Sequence, residues 1–147
     1  MDIPVAALLE RKGSAVHAVA STITIAEAVA EMNKRRIGCI VIVDAGQIAG
    51  IFTERDVLRR VVGAGVDPKT VLVADVMTTS VHTIAPESTI EQTMELFAEK
   101  RCRHIPVVEG GQLRGLISIG DISRWVADCS KAEADHLKSY IAGGFPA

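Results

Sequence analysis

Aromatic side chains are scarce in this sequence: three Phe, one Trp and one Tyr among 147 residues. So few rings leave no stacking platform for single-stranded nucleic acid. A large charge of either sign is lacking too. The formal net charge is −2, whereas a nucleic-acid partner calls for a basic face. Long apolar runs are missing. The longest, Ile37 to Val43, is seven residues with Gly38 inside it, far short of the roughly 20 that cross a bilayer. The N-terminus, with Asp2, Pro4 and a short apolar run before Glu10, does not read as a signal peptide. Cysteine is limited to Cys39, Cys102 and Cys129, an odd number without CxxC or metal-ligand spacing, as expected of reduced, packed thiols. These absences predict a cytoplasmic protein with neither membrane nor nucleic acid as partner and with no metal site.

Catalytic signatures are equally sparse. Gly115-x4-Gly120 is followed by Asp121-Ile122, where a phosphate-binding P-loop requires Lys and then Ser or Thr. No G-x-G-x-x-G, HExxH, nucleophile elbow or paired-carboxylate arrangement occurs. The one enzyme reading left is a thiol enzyme using Cys102 or Cys39 with His104. The expectation is a protein that is not an enzyme and holds no catalytic cofactor.

What the sequence does have is a hydrophobic fraction of 48%, ample for a core, and an internal repeat. Shifted by 65, residues 16–60 superpose on 81–125 without a gap, and thirteen of the 45 pairs are identical. Unrelated segments of like composition would share about three or four. Each copy runs in the same order. Residues 15–19 and 80–84 alternate as a short strand. Thr24-x-x-Glu27 and Thr89-x-x-Gln92 are capping boxes, each opening a helix closed by basic residues, Lys34 to Arg36 or Lys100 to Arg103. Strands Ile40–Val43 and Ile48–Phe52 are joined by D-A-G-Q, and Ile105–Val108 and Leu113–Ile117 by E-G-G-Q, both hairpin compositions. A second helix follows, its apolar face on Val57, Leu58 and Val61 or on Ile122, Trp125 and Val126.

The predicted fold class is thus α/β (α+β), two β-α-β-β-α repeats related by a pseudo-twofold axis, since one such unit cannot cover its own sheet. Residues 1–62 hold a lead-in helix and repeat 1, residues 63–72 a connector, and residues 73–127 repeat 2. Residues 128–147 hold a C-terminal helix, with Ala134, Leu137 and Ile141 at helical spacing, and a tail. Val5–Leu9 and Val73–Met77 read as matching helical lead-ins.

Two corners dominate the pattern: G-I-F-T-E-R-D from Gly50 to Asp56 and G-L-I-S-I-G-D from Gly115 to Asp121. In each, a strand ends in a hydroxyl residue, Thr53 or Ser118, and a carboxylate follows three positions later. These two pairs can simply cap helices. The same carboxylate, Asp56 or Asp121, could also accept from the vicinal hydroxyls of a ribose. The helix start beside it favours a phosphate.

The duplicated corners, with R-H-I-P-V-V at Arg103–Val108 and V-M-T at Val76–Thr78, resemble a tandem pair of cystathionine-β-synthase (CBS) domains, a Bateman module, over residues 5 to about 127. The resemblance implies a regulatory module that binds an adenine nucleotide between the repeats and forms a homodimer. The ligand would be AMP, ADP, ATP or NAD(H), with Thr53, Asp56, Ser118 and Asp121 at the sugar. Arg103 and His104 stand where the family often places phosphate-contacting bases. The first half has Gly38 and Cys39 there, so the Asp121 site is expected to be the better one. The Asp56 site would be weaker, empty, or served by Arg55 or Arg36. Val16, Ile40, Val81, Ile105 and Pro106 complete the candidate list on the strands that wall the clefts, with His17 and His82, alike on the first strands, where a lone histidine is more often packed or at the surface than a ligand. The protein would sense energy or redox state and signal in trans to an unknown regulated protein. The competing expectation is a structural dimer that binds no nucleotide.

Overall fold

The computed structural model describes residues 3–13 and 15–139, with side chains through residue 132. Helix α1 is Val5–Lys12. The first repeat contains β1 (Ala18–Val19), α2 (Ile25–Arg35), β2 (Cys39–Asp44), β3 (Gln47–Thr53) and α3 (Glu54–Asp56), which passes into a π-helical segment, Val57–Val62. A 3-10 turn at Val73–Asp75 leads to α4 (Ile90–Lys100), β4 (His104–Glu109), β5 (Gln112–Ser118) and α5 (Ile119–Ser139). This is the mixed α/β repeat architecture that the duplication predicts.

Local chemistry accounts for the boundaries. Thr24 accepts from the Glu27 amide and Thr89 from the Gln92 amide, while the Glu27 and Gln92 side chains accept from the cap amides, so both capping boxes form. Both helices end on an arginine in the left-handed region, Arg36 at φ 54° and Arg101 at φ 53°. The hairpins turn through Ala45-Gly46 and Gly110-Gly111, all four at positive φ, the geometry whose twist suits paired strands.

The first strands are shorter than their alternation predicts, and the reason differs between the copies' partners. In repeat 1, β1 pairs parallel with β2, and the Val41 amide donates to the His17 carbonyl at 3.3 Å. The residue equivalent to Val41 is Pro106, which has no N–H to donate. Residues 80–84 therefore form no strand. Only Ile84 bridges to Val107, its amide donating to Pro106 O at 3.1 Å. Leu58 also departs from expectation: Val61 is buried, but Leu58 is 65% exposed. Amide bonds five residues apart, Gly63 to Leu58 O and Val66 to Val61 O, widen this turn and swing Leu58 outward. Finally, α5 is one continuous helix to Ser139, because no Gly or Pro interrupts Ala127–Lys131. The predicted terminal stripe of Ala134, Leu137 and Ile141 lies outside the described side chains.

The lead-ins are exchanged between repeats. Val5, Leu8 and Leu9 are buried with Ile90, Phe97, Ile105, Val107, Ile117 and Ile122 of the second repeat. Val73 and Val76 are buried with Ile25, Ile40, Ile42 and Phe52 of the first. Backbone bonds fix both exchanges: Val5 N–H to Ser88 O at 2.7 Å and Ile90 N–H to Ile3 O at 2.9 Å on one side, Val73 N–H to Ile23 O at 2.9 Å on the other. Val5 and Val73 are each fully buried, worth about 1.5–3 kcal/mol apiece. The motif glycines admit this approach. A Cβ on Gly50 would stand 2.6 Å from the Thr78 carbonyl oxygen, and one on Gly115 would stand 2.6 Å from Leu9 Cδ2.

Candidate functional site

Strand β3 delivers Thr53 to the start of α3, where its hydroxyl accepts from the Asp56 amide at 3.2 Å and its own amide donates to Asp56 Oδ2 at 3.0 Å. The corner thus caps its own helix. The other oxygen of Asp56, Oδ1, accepts from the Thr78 hydroxyl at 3.0 Å, and Arg60 stands 3.7 Å from it. Asp56 is buried, yet it lines a cleft of about 240 Å³. From the first repeat the cleft is walled by Gly38, Ile51, Thr53, Glu54 and Arg55, with Thr78 beside them. From the second it takes Arg101, Cys102, Arg103 and His104. Arg55 reaches across to the Arg101 carbonyl at 3.4 Å.

This placement changes the expected pairing. Arg103 and His104 line the same cleft as the Thr53/Asp56 corner of the other repeat, where Arg55 bonds the Arg101 carbonyl. They also border Ser118, Ile119 and Gly120 in an open concavity of about 460 Å³ that Asp121 does not line. The first cleft therefore gains bases from a segment that an in-register comparison assigns to the second. Its Gly38 leaves room for the Glu54 carboxylate, whose Cδ would stand 3.2 Å from a Cβ there.

Burial lowers the His104 pKa below its ordinary 6.5. Asp121 and Glu54 oppose this shift, while Lys12 and Arg103 add to it. At neutral pH the imidazole is mostly uncharged, leaving cationic work to Arg55, Arg101 and Arg103. Burial, then the Asp56 charge, pushes the Cys39 thiol up to about 12, and burial also raises Cys102. Neither thiol has the lowered pKa that a nucleophile needs, so the thiol-enzyme reading has no support in the geometry.

Asp121 sits differently. Ser118 N–H donates to its Oδ2 at 2.8 Å, as Thr53 does to Asp56, but Lys12 Nζ also lies 2.6 Å from that oxygen and Arg124 Nη2 lies 2.5 Å from Oδ1. Burial pushes its pKa up, yet the bonds from Lys12 and Ser118 outweigh this and hold the carboxyl below the usual range. Asp121 also lines a cavity, of about 200 Å³, but this one lies between α1 and α5 and is walled by Leu8, Arg11, Lys12, Arg124, Trp125 and Asp128, with no residue of the first repeat's strands.

The remaining candidates divide plainly. Ile40 and Ile105 are core side chains of opposite repeats, and Pro106 is buried in β4. Val16, His17 and Val81 are half-buried and His82 is exposed; none of the four lines the Asp56 cleft. Sequence reasoning missed Glu54, Thr78 and Arg101 as cleft residues. The identity of Arg36 with Arg101 and the V-M-T run before the second copy were the available signals. Among the described residues, no group of three or more His, Cys, Asp or Glu could hold a metal, and no helix is long and apolar enough to cross a membrane.

The two α/β repeats thus exchange their lead-ins and share the cleft at Asp56. Residues 13–63 and 73–128 match the CBS domain family, and the chain belongs to it as a tandem pair. The mitochondrial CBS domain-containing protein CBSX3 of Arabidopsis thaliana is 37% identical over 127 residues, 83% of this chain and 62% of that protein, so the chain spans less than two-thirds of its length. A CBS-domain protein from Agrobacterium tumefaciens superposes with a TM-score of 0.78 at 41% identity, covering 82% of this chain and 97% of that one. A CBS domain protein from Pyrobaculum aerophilum, solved complexed with AMP, superposes with a TM-score of 0.72 at 26% identity, covering 81% of this chain and 89% of that one.

Proposed function

We propose that this chain is a regulatory module that takes an adenosine-containing ligand, AMP, ADP, ATP or NAD(H), in the Asp56 cleft and signals occupancy to a partner protein in the cytoplasm. The observation that carries this reading is the convergence, in one cleft, of a carboxylate and hydroxyl from one repeat with two arginines from the other. Asp56 and Thr53 suit the sugar hydroxyls. Arg101 and Arg103 suit a phosphate, and Ile51 and Gly38 offer an apolar floor. That a CBS domain protein of the same fold was solved with AMP supports the ligand class. A ligand touching both repeats favours one placement of the halves, and only such differential affinity makes a signal. A homodimer is part of the proposal, motivated by Leu58 and Val62, 65% and 69% exposed and four residues apart on one segment. A monomer by light scattering at micromolar concentration sinks that part.

A second reading, an interaction module that binds no nucleotide, draws on the fact that both corner carboxylates already have intramolecular donors. Ligand linkage decides between them. A nucleotide at about 100 times its Kd adds roughly 2.7 kcal/mol, a rise in Tm of roughly 5–11 °C at this length. No shift with AMP, ADP, ATP, NAD or NADH establishes the second reading. In the first, Asp56→Asn keeps a cap but removes a charged acceptor and weakens AMP binding by about 1.5–3 kcal/mol by calorimetry.

A further inference from the structure

The two corners are equivalent by sequence, but the lead-ins meet them differently. In the first, Thr78 donates to both Ile51 and Asp56: its amide to Ile51 O at 2.8 Å and its hydroxyl to the Asp56 carboxylate. In the second, the residues equivalent to Ile51 and Asp56 are Leu116 and Asp121. Both are taken by one group, Lys12 Nζ, at 2.5 Å from Leu116 O and 2.6 Å from Asp121 Oδ2. Helix α1 makes this possible: its eight residues run more than a turn further than the three of the 3-10 lead-in at Val73–Asp75, which carries a long side chain to the strand end. Arg124 closes the remaining carboxylate oxygen, and Arg11, bonded to Asp128 at 2.7 Å and stacked 5.5 Å over the Trp125 ring, pins α1 on α5.

A neutral hydroxyl that bonds a carboxylate can be exchanged for the hydroxyl of a sugar at little cost. An ammonium paired with a largely buried carboxylate is exchanged less readily, because its removal strips one of the two cations, Lys12 and Arg124, that compensate the Asp121 charge. The concavity beside Ser118 accordingly has its hydroxyl and its bases but no carboxylate.

We infer that Lys12 is a built-in occupant of the second corner, so that each chain takes one adenosine ligand, at Asp56, and none at Asp121. This rests on the reading of the Asp56 cleft as a nucleotide site, and the experiment separates the two. AMP is titrated calorimetrically into the full chain as wild type, Asp56→Asn, Asp121→Asn, Lys12→Met and Lys12→Met with Asp121→Asn, each checked by melting. The wild type is expected to bind one AMP per chain, weakened about 10- to 160-fold in Asp56→Asn and changed less than about threefold in Asp121→Asn. Lys12→Met keeps the stem that packs on α5 and is expected to bind two, returning to one when Asp121→Asn is added. Lys12→Gln, a second neutral variant, serves if Lys12→Met does not fold. Two AMP in the wild type, one in the neutral variants, or loss of the single site in Asp121→Asn overturns the inference. If the wild type binds none and Lys12→Met binds one through Asp121, Lys12 stands as the occupant of the second corner and the Asp56 site falls. If neither binds, both fall.

Discussion

Asp56 and Asp121 are buried to nearly the same degree, 6% and 5% exposed, so what distinguishes them is the charge of their donors. Thr78 leaves Asp56 an exchangeable anion, and Arg60 at 3.7 Å is its only ion-pair contact among the described residues. The other titratable group in this region with a visible consequence is His104. Its pKa is lowered in the folded chain, so on acidification the unfolded chain takes up the proton first. Stability is full above about 6.5 and is lost as the pH falls from there toward the folded value. The Tm of the wild type should therefore drop between pH 7 and 5 more steeply than that of His104→Gln, and parallel curves would show that the imidazole is not desolvated. Cys39, 2% exposed with its thiol near 12, should stay unlabelled by iodoacetamide in the native state. Peptide mapping that finds Cys39 modified before the half-buried Cys102 would contradict the packing.

At the level of elements, features that depend on neighbours a few residues apart were visible in the sequence: both capping boxes, both positive-φ turns and both strand-to-helix corners. Strand length was not, because it depends on the partner. Pro106 cancels a bond that Val41 makes, and alternation in residues 80–84 carries no trace of that. The site was half visible for the same reason. Thr53 and Asp56 are local, whereas Lys12 meets Asp121 across 109 positions, and Arg103 turns toward a corner in the other copy. The glycines make an element-scale test. A methyl at Gly50 meets the backbone oxygen of Thr78, which is fixed by the Ile51 bridge, while one at Gly115 meets the end of the Leu9 side chain. Gly50→Ala should cost about 2–4 kcal/mol in urea denaturation and Gly115→Ala about 1–2 kcal/mol. The reverse order would mean that Leu9 is held more rigidly than Thr78.

Across the whole molecule, the crossed lead-ins make the repeats interdependent even though each has its own core. A fragment of residues 64–147 lacks Val5, Leu8 and Leu9, three of the nine buried side chains of its cluster. It should show weak near-UV dichroism at Trp125, restored when a peptide of residues 1–13 is supplied. A fragment with native-like dichroism by itself would show that the second core closes without α1.

The crossing also sets an order of events during synthesis. Helix α1 is made before either repeat, but the pocket for Val5 is not finished until Ile117 and Ile122 have left the ribosome, on the order of ten seconds later at common elongation rates. Until then its apolar stripe has no native home, while the first repeat is complete as soon as Val76 emerges. Helix α1, made ahead of both repeats, is thus among the last elements to be put away, and a newborn chain stalled midway would present one finished half and one greasy, unclaimed helix to whatever chaperone is near.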